Sequence, residues 1–234
     1  MRRDENSIHG VHGEPHLRPA NHVESESEPA GDEPGLAWAA GQDGRLPRYG
    51  DHFRRQWERT HGAARWVVVV LAGLAAGPFA VLGAMFQAMT GQTGFGHLAV
   101  ILFGPIIEEV LKIACALMLV ERRPWLLPGV AGILCIGVLG GFGFAAIENV
   151  MYLRVYFPDH GPGLAAWRWT VNVALHTGCT VIAAWGVART WRAVVCDGRP
   201  PDLSLAMPWL IAAIIIHGVY NAFAIALGML GHAP

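Results

Sequence analysis

The sequence predicts an all-α protein: a polytopic transmembrane bundle of about five spans, preceded by a disordered N-terminal tail. Three observations carry that expectation. Hydrophobic residues make up 53% of the 234 and charged residues only 15%. The charges are unevenly placed, with 11 of the 18 acidic residues before position 66. Beyond that point the chain is a series of apolar blocks, each as long as the roughly 20 residues that cross a bilayer. This is the composition of helical membrane proteins rather than of a soluble domain. The formal net charge of −1 argues against a nucleic-acid partner.

Residues 1–50 are rich in Gly, Pro, Glu, Ser and His and poor in large apolar side chains. Such a segment cannot offset the entropy of ordering and is expected to be disordered. The tail histidines His9, His12 and His16 read as a solvated stretch, because nothing nearby supplies a rigid metal cage. The start of the chain shows no charged residues followed at once by an apolar core, so no cleavable signal peptide is expected. Residues 51–65 turn basic and aromatic, with Arg54, Arg55, Trp57, Arg59 and Arg65. They are expected to form a short amphipathic helix at the membrane surface. The transmembrane domain follows over 66–230.

Five spans are expected: Trp66 to about Met89, His97 to Val120, about Leu126 to Leu153, about Trp167 to Trp191, and about Ala206 to Leu230. Trp66, Trp125, Trp167, Trp169, Trp191 and Trp209 stand near their ends, where an aromatic belt belongs. Basic residues flank the first span, occupy the connection between spans two and three (Arg122, Arg123) and follow span four (Arg189, Arg192, Arg199). The connection after span one and the C-terminus carry none. Arg154 and Arg168 bracket the connection between spans three and four, against the trend. The alternation puts the N-terminus in the cytoplasm and the C-terminus outside. Gly137, Gly140, Gly141 and Gly143 on span three read as a face for close helix packing. The four cysteines lack C-x-x-C spacing and read as buried small hydrophobes rather than as a disulfide or zinc framework.

The residues that demand explanation are polar ones inside the spans. Span two carries Glu108, Glu109 and Lys112; span three Glu148 and Asn149; span four Asn172 and His176; span five His217, Tyr220 and Asn221. A charge at membrane depth costs roughly 2.5–3.5 kcal/mol on insertion scales, and such residues are functional candidates by default. With 1.5 Å of rise per residue, Glu108 lies about 16 Å from the outer end of its span, His176 about 14 Å, His217 about 20 Å, Asn221 about 14 Å and Glu148 about 8 Å. These depths suit one cavity in the outer half of the membrane, with Glu148 the outlier. Residues three and four apart share a helix face, so Lys112 can reach both Glu109 and Glu108, and His217 faces the same way as Asn221.

Three carboxyls against one lysine cannot all remain ionised in a low dielectric. A carboxylate beside a histidine is suited to general acid–base work on water. A His and an Asn can stabilise an oxyanion. The chain has no G-x-S-x-G or H-E-x-x-H motif, so activated water is favoured over a serine nucleophile. Each residue also has a plainer reading. A single His or Asn in a span can be an interhelical hydrogen-bond partner, and a Glu–Lys pair can be a structural bridge, though burial of one rarely stabilises a protein. The doubled glutamate resists the plainer reading, because a bridge to Lys112 needs only one.

The chain resembles the PrsW family of intramembrane proteases, within the wider group of CAAX prenyl endopeptidases and bacteriocin-processing enzymes. The resemblance rests on E-E-x-x-K at Glu108, Glu109 and Lys112, then F-x-x-x-E-N at Phe144, Glu148 and Asn149, an isolated His176, and H-x-x-x-N at His217 and Asn221, in that order on successive spans. It implies a peptidase of the bacterial plasma membrane that cuts membrane-anchored proteins, anti-sigma factors being the best-known substrate class, on the extracytoplasmic side. It also implies that Glu108 or Glu109 with His176 handles the water and that His217 with Asn221 holds the oxyanion. Glu148 stands where the prenyl-processing relatives have a histidine. Two His and up to three Glu suit a divalent metal such as zinc, with Glu109, Glu148, His176 and His217 as candidate ligands; the same set also works as a metal-free glutamate peptidase. Two other functions compete. One is a proton-coupled transporter, since intramembrane carboxylates mark proton paths, although no inverted repeat is visible. The other is a scaffold whose polar residues only hold helices together.

Overall fold

The structure, a computed structural model, describes residues 49–91 and 96–229. The expected disordered tail falls almost wholly outside these residues, as does most of the connection after span one. Among the described residues the chain is helical, with no strand. Helix α1 (Tyr49–Arg59) is followed by α2 (Gly62–Leu74) and α3 (Ala76–Gly91). The last two are separated by a break at Ala75. Pro78 lacks the amide hydrogen that the carbonyl of Leu74 would accept, and its ring disfavours a straight helix there. A short α4 (Gly96–Leu98) runs through a π turn (Ala99–Phe103) into α5 (Gly104–Arg122). Then come α6 (Val130–Met151), continued by a second π turn (Tyr152–Tyr156), and α7 (Pro162–Trp167), which leads through a third (Arg168–Asn172) into α8 (Val173–Asp197). The last helix is α9 (Met207–Met229).

Four helical runs are long and apolar enough to cross a membrane: Gly62–Gly83, Val130–Tyr156, Pro162–Asp197 and Leu203–Leu227. The fifth expected span is α5. Its 19 residues reach about 28 Å at 1.5 Å each, and the ionisable residues Glu108, Glu109 and Lys112 are what lower its hydropathy. The protein is thus an all-helical membrane bundle of about five spans. Two of its ends differ from the expectation. Span three continues to Tyr156 and span four begins at Pro162, so Glu148 lies eight residues from the end of its helix, about 12 Å, and His176 fourteen from the start of its own, about 21 Å; the direct contact of their side chains, not the count from helix ends, puts them at one level. Because span four begins at Pro162, Arg168, expected beside a connection, sits inside a helix.

The centre of the bundle is made of α6 and α8. Small residues let their backbones meet: a Cβ on Gly141 would lie 2.6 Å from Thr177 Cα and 2.8 Å from the His176 carbonyl oxygen, and one on Gly137 would lie 2.8 Å from Ala184 Cβ. Gly140 faces the other way, toward Ala76 and the Lys112 carbonyl. Gly143 has nothing within 4 Å of its Cβ position, so it is not part of the expected packing face. The apolar core (Val69, Ile113, Val120, Leu127, Ile133, Ile136, Val187, Leu210) fills the half of the bundle away from the polar residues. All four cysteines are free, but only Cys179 is buried, while Cys135 and Cys196 are exposed on the helix surfaces.

At the other end α1 lies against the bundle with none of its residues buried. His52 meets Trp125 edge-on at 5.3 Å, and Trp57 packs 6.3 Å from Trp191, whose Nε1–H donates to the Pro124 carbonyl at 3.0 Å. Arg65 stacks its guanidinium over Trp57, 3.5 Å from the ring centroid, and donates to the Trp57 carbonyl. Chain reversal after α8 uses Gly198 in the left-handed conformation (φ 62), where its N–H caps the Val194 carbonyl. A residue with a Cβ is strained in that conformation.

The contrast between the two glycines gives a direct test. Ala at Gly143 is expected to be neutral or stabilising, since Ala is favoured over Gly in a helix by about 1 kcal/mol. Ala at Gly141 must push α8 away and is expected to cost about 1–3 kcal/mol. Thermal unfolding in detergent should show a lowered midpoint for Gly141→Ala only.

Candidate active site

The polar residues of four helices meet where α5 and α8 begin and where α6 and α9 end. Glu108, Glu109, Lys112, His176 and His217 are each no more than 2% exposed, and Glu148 is 7% exposed. Lys112 is the hub. Its Nζ donates to Glu109 Oε1 at 2.7 Å and to His176 Nδ1 at 2.6 Å, lies 3.6 Å from Glu108 Oε2, and stands 4.3 Å above the centroid of the Phe144 ring. Reach to both glutamates is what the i,i+3 and i,i+4 spacings provide. Glu109 Oε1 also accepts from His217 Nδ1 at 2.8 Å, which leaves the lone pair of His217 on Nε2, 3.8 Å from Glu108 Oε2. The two imidazoles stand edge to face, 4.7 Å between centroids.

His176 is held from its other side. Its Nε2–H points at Glu148 Oε2, 3.0 Å away, and its Nδ1 lies 3.9 Å from Glu108 Oε2. Glu148 Oε2 also accepts from Asn172 Nδ2 at 3.0 Å and pairs with Arg168 Nη2 at 3.0 Å. Asn149 links the same groups: its Oδ1 accepts from Arg168 Nε and Asn172 Nδ2, and its Nδ2 donates to the Arg168 carbonyl at 2.8 Å. Asn221 sits apart from the imidazoles in its bonding, with Nδ2 donating to the Val100 carbonyl at 3.0 Å. That carbonyl belongs to the π turn before α5. Pro105 cannot donate to Ile101, so the helix opens there, and Gly218 lets α9 approach the freed carbonyl, 2.7 Å from where a Cβ would be.

A cavity of about 530 Å³ adjoins this cluster. Glu108, Glu148, Arg168, Asn172, His176, His217 and Asn221 are its charged and amide-bearing lining, and Tyr152, Phe157, Leu164, Trp167, Tyr220 and Ile225 its larger rings and aliphatic side chains. Glu109 and Lys112 do not line it. A concave, mostly apolar chamber with a few convergent polar groups is the usual form of a substrate site.

These groups lie in the order and on the helices that the sequence motifs require, and the comparison with known families agrees. The sequence profile described as PrsW family intramembrane metalloprotease matches residues 59–233. The chain belongs to the PrsW family. It is therefore a peptidase, and its membrane-length helices make it an integral membrane protein. No curated protein and no solved structure matches the chain.

The description of the PrsW family names a metal, and the residues present fit one. Glu108, His176 and His217 each offer a ligand atom, all within 4.8 Å of one another. Two His and one carboxylate form a zinc donor set with a position left open for water. Each imidazole has one nitrogen held by a carboxylate, as ligands usually do, His217 by Glu109 and His176 by Glu148; the other nitrogen of His176 meets the Lys112 ammonium at 2.6 Å, a contact that must give way for His176 to ligate. The expected ligand set named Glu109 and Glu148 but not Glu108. The geometry differs: Glu109 Oε1 is taken by Lys112 and His217, Glu148 Oε2 by Arg168, Asn172 and His176, and Glu108 is the carboxylate within reach of both rings.

Sequence reasoning brought together Glu108, Glu109, Lys112, Glu148, Asn149, His176 and His217. It missed Arg168 and placed Asn172 on the polar list without a role. A signal for Arg168 existed: it broke the alternation of basic connections, as a cation serving the interior does. Lys112→Met should leave the two glutamates without their shared cation. Breaking a buried pair from one side costs about 3–5 kcal/mol, so the variant is expected to unfold at markedly lower temperature or denaturant than the parent protein.

Proposed function

We propose that this PrsW-family peptidase cuts membrane-anchored proteins on the extracytoplasmic side of a bacterial plasma membrane, anti-sigma-factor-like proteins being the substrate class to try first. The observation that carries the assignment of roles is the division between the two adjacent glutamates. Glu108 lines the cavity, whereas Glu109 lies behind it, tied to Lys112 and His217. Water in the cavity meets Glu108, which orients it and takes its proton. Glu148 and Lys112 hold the His176 ring from either side, and Glu109 holds His217. Were a divalent metal held by Glu108, His176 and His217, it would supply Lewis acidity at the same point, with Glu108 then a ligand in place of the base.

The resemblance assigned the oxyanion to His217 with Asn221. With its Nδ1–H given to Glu109, His217 presents a lone pair to the cavity rather than a donor. Asn221 keeps one amide hydrogen beyond the one given to Val100, and it lines the cavity; we assign the donor role to that hydrogen. The rings and aliphatic side chains of the lining suit an extended segment of a membrane-anchored chain. The alternation of basic connections supports a cytoplasmic N-terminus and an extracytoplasmic C-terminus, with the site toward the outer leaflet.

Glu108→Gln is expected to abolish release of extracytoplasmic fragments from cells while leaving insertion and thermal stability near the parent's. Mass spectrometry of shed membrane-protein fragments reads the result, and full cleavage by the Glu108→Ala, Glu109→Ala double variant would end the proposal. Metal analysis of the purified protein should find one divalent ion per chain, lost in His217→Ala.

A further inference from the structure

We infer that Arg168 is a positioning residue of the active site, acting through Glu148 to hold the Nε2–H edge of the His176 ring. The inference rests on the proteolytic reading above and extends it to a residue that none of the sequence motifs includes. Arg168 lies in the π turn that opens α8, and its side chain is 12% exposed. A cation at such a place in a membrane bundle is costly unless paired, and among the described residues its side-chain polar contacts run toward one carboxylate and that carboxylate's neighbour, although Arg168 also borders the cavity. Nη2 is 3.0 Å from Glu148 Oε2, Nε donates to Asn149 Oδ1 at 3.0 Å, and the plane of the guanidinium lies on Tyr152, 3.7 Å from the ring centroid. Asn149 returns a bond to the Arg168 carbonyl, so the fork is fixed at three points.

What Arg168 fixes is a single oxygen. Glu148 Oε2 has Arg168 Nη2, Asn172 Nδ2 and His176 Nε2 each at 3.0 Å. Among these neighbours it can only accept, so the hydrogen between it and His176 belongs to the imidazole. The other ring nitrogen then carries the lone pair, as its contact with the Lys112 ammonium at 2.6 Å also requires. Without Arg168, one of the three contacts holding Oε2 is lost and the carboxylate is free to turn toward the cavity. His176 keeps its proton on Nε2, since Lys112 still donates to Nδ1, but the hydrogen bond that holds the ring at Nε2 is weakened. A lysine supplies the charge but not the fork that spans Glu148 and Asn149, so it restores the arrangement only in part.

The experiment uses the full chain in lipid nanodiscs with two readouts. NMR of nitrogen-15-labelled imidazoles, with His176 assigned by its loss in His176→Gln, should show the proton on Nε2 in the parent and in Arg168→Met, with the Nε2–H proton resonance, which reports the strength of its hydrogen bond, moved upfield in the variant. Cleavage of the best-cut peptide of a defined synthetic library should show a kcat lowered about 10–100-fold in Arg168→Met, the usual cost of removing an outer-shell partner. KM should stay within about twofold, the pattern of a loss felt in the transition state. Glu148→Gln should cause the same loss, the double variant no more than either single one, and Arg168→Lys a partial recovery. The double variant removes both charges together and serves where Arg168→Met alone does not fold. An unchanged His176 Nε2–H resonance overturns the inference, as do additive losses in the double variant or a KM rise with kcat intact, which would make Arg168 a substrate contact. If the parent cuts no peptide, the proteolytic reading fails, and the Nε2–H resonance still decides whether Arg168 governs His176.

Discussion

The scarcity of water inside the bundle is the constraint on which the site depends. Charged side chains there cannot be solvated, so they must satisfy one another. Lys112 answers this for the two glutamates on its own helix and for His176 across the bundle. Arg168 answers it for Glu148. The result is two ion-paired clusters, one on α5 and one between α6 and α8, joined at the His176 ring. Such networks rarely add net stability over an apolar core. What they provide is orientation: each imidazole is held at one nitrogen by a carboxylate, which leaves the other nitrogen of His217 toward the cavity and that of His176 on Lys112.

The helices are cut to bring these groups together. The described π turns, Ala99–Phe103, Tyr152–Tyr156 and Arg168–Asn172, all adjoin the polar cluster. One precedes Glu108, one follows Glu148, and one carries Arg168 and Asn172 just before His176. A π turn is a rare departure from the α-helix and is found mainly at functional sites. Here the first carries the Val100 carbonyl that Asn221 binds. The glycines of α6 serve the same end. The close approach at Gly141 is to the carbonyl of His176 itself, so helix packing and ring placement are one event.

Much of this was legible from residues alone. The number and rough position of the spans follow from where charge is absent, and the convergence of Glu108, Glu109, Glu148, His176 and His217 follows from comparable depth on separate helices. The reach of Lys112 follows from helical spacing. Other features were not legible, for identifiable reasons. The ends of spans three and four were drawn short because Arg154 and Arg168 look like residues of a connection, and that placed Glu148 too near the surface. The pairing of Arg168 with Glu148 is a contact between helices, which no spacing along the chain reveals. Asn221 shares a face with His217, as its spacing says, but its bond to Val100 reaches a π turn of another span, which its own helix does not reveal. Gly143 belongs by spacing to the same glycine-rich stretch as Gly137 and Gly140, and only the arrangement of neighbours shows that it packs on nothing.

The doubled glutamate is the point at which helix geometry and chemistry coincide. Adjacent residues on an α-helix point about 100° apart, so Glu108 and Glu109 cannot occupy equivalent places. A single lysine one turn further on lies close enough to pair with both, at 3.6 Å and 2.7 Å. One carboxylate can therefore be committed to a buried hydrogen-bond network while its neighbour, sharing the same cation, faces the cavity. A lone glutamate would have to do both, and the demands conflict: a carboxylate fixed between Lys112 and His217 has little freedom to take a proton from water. Two residues in sequence, one supporting and one reactive, resolve that conflict within one helical turn. That is a reason for the pair to be adjacent, which a bridge to Lys112 alone does not require.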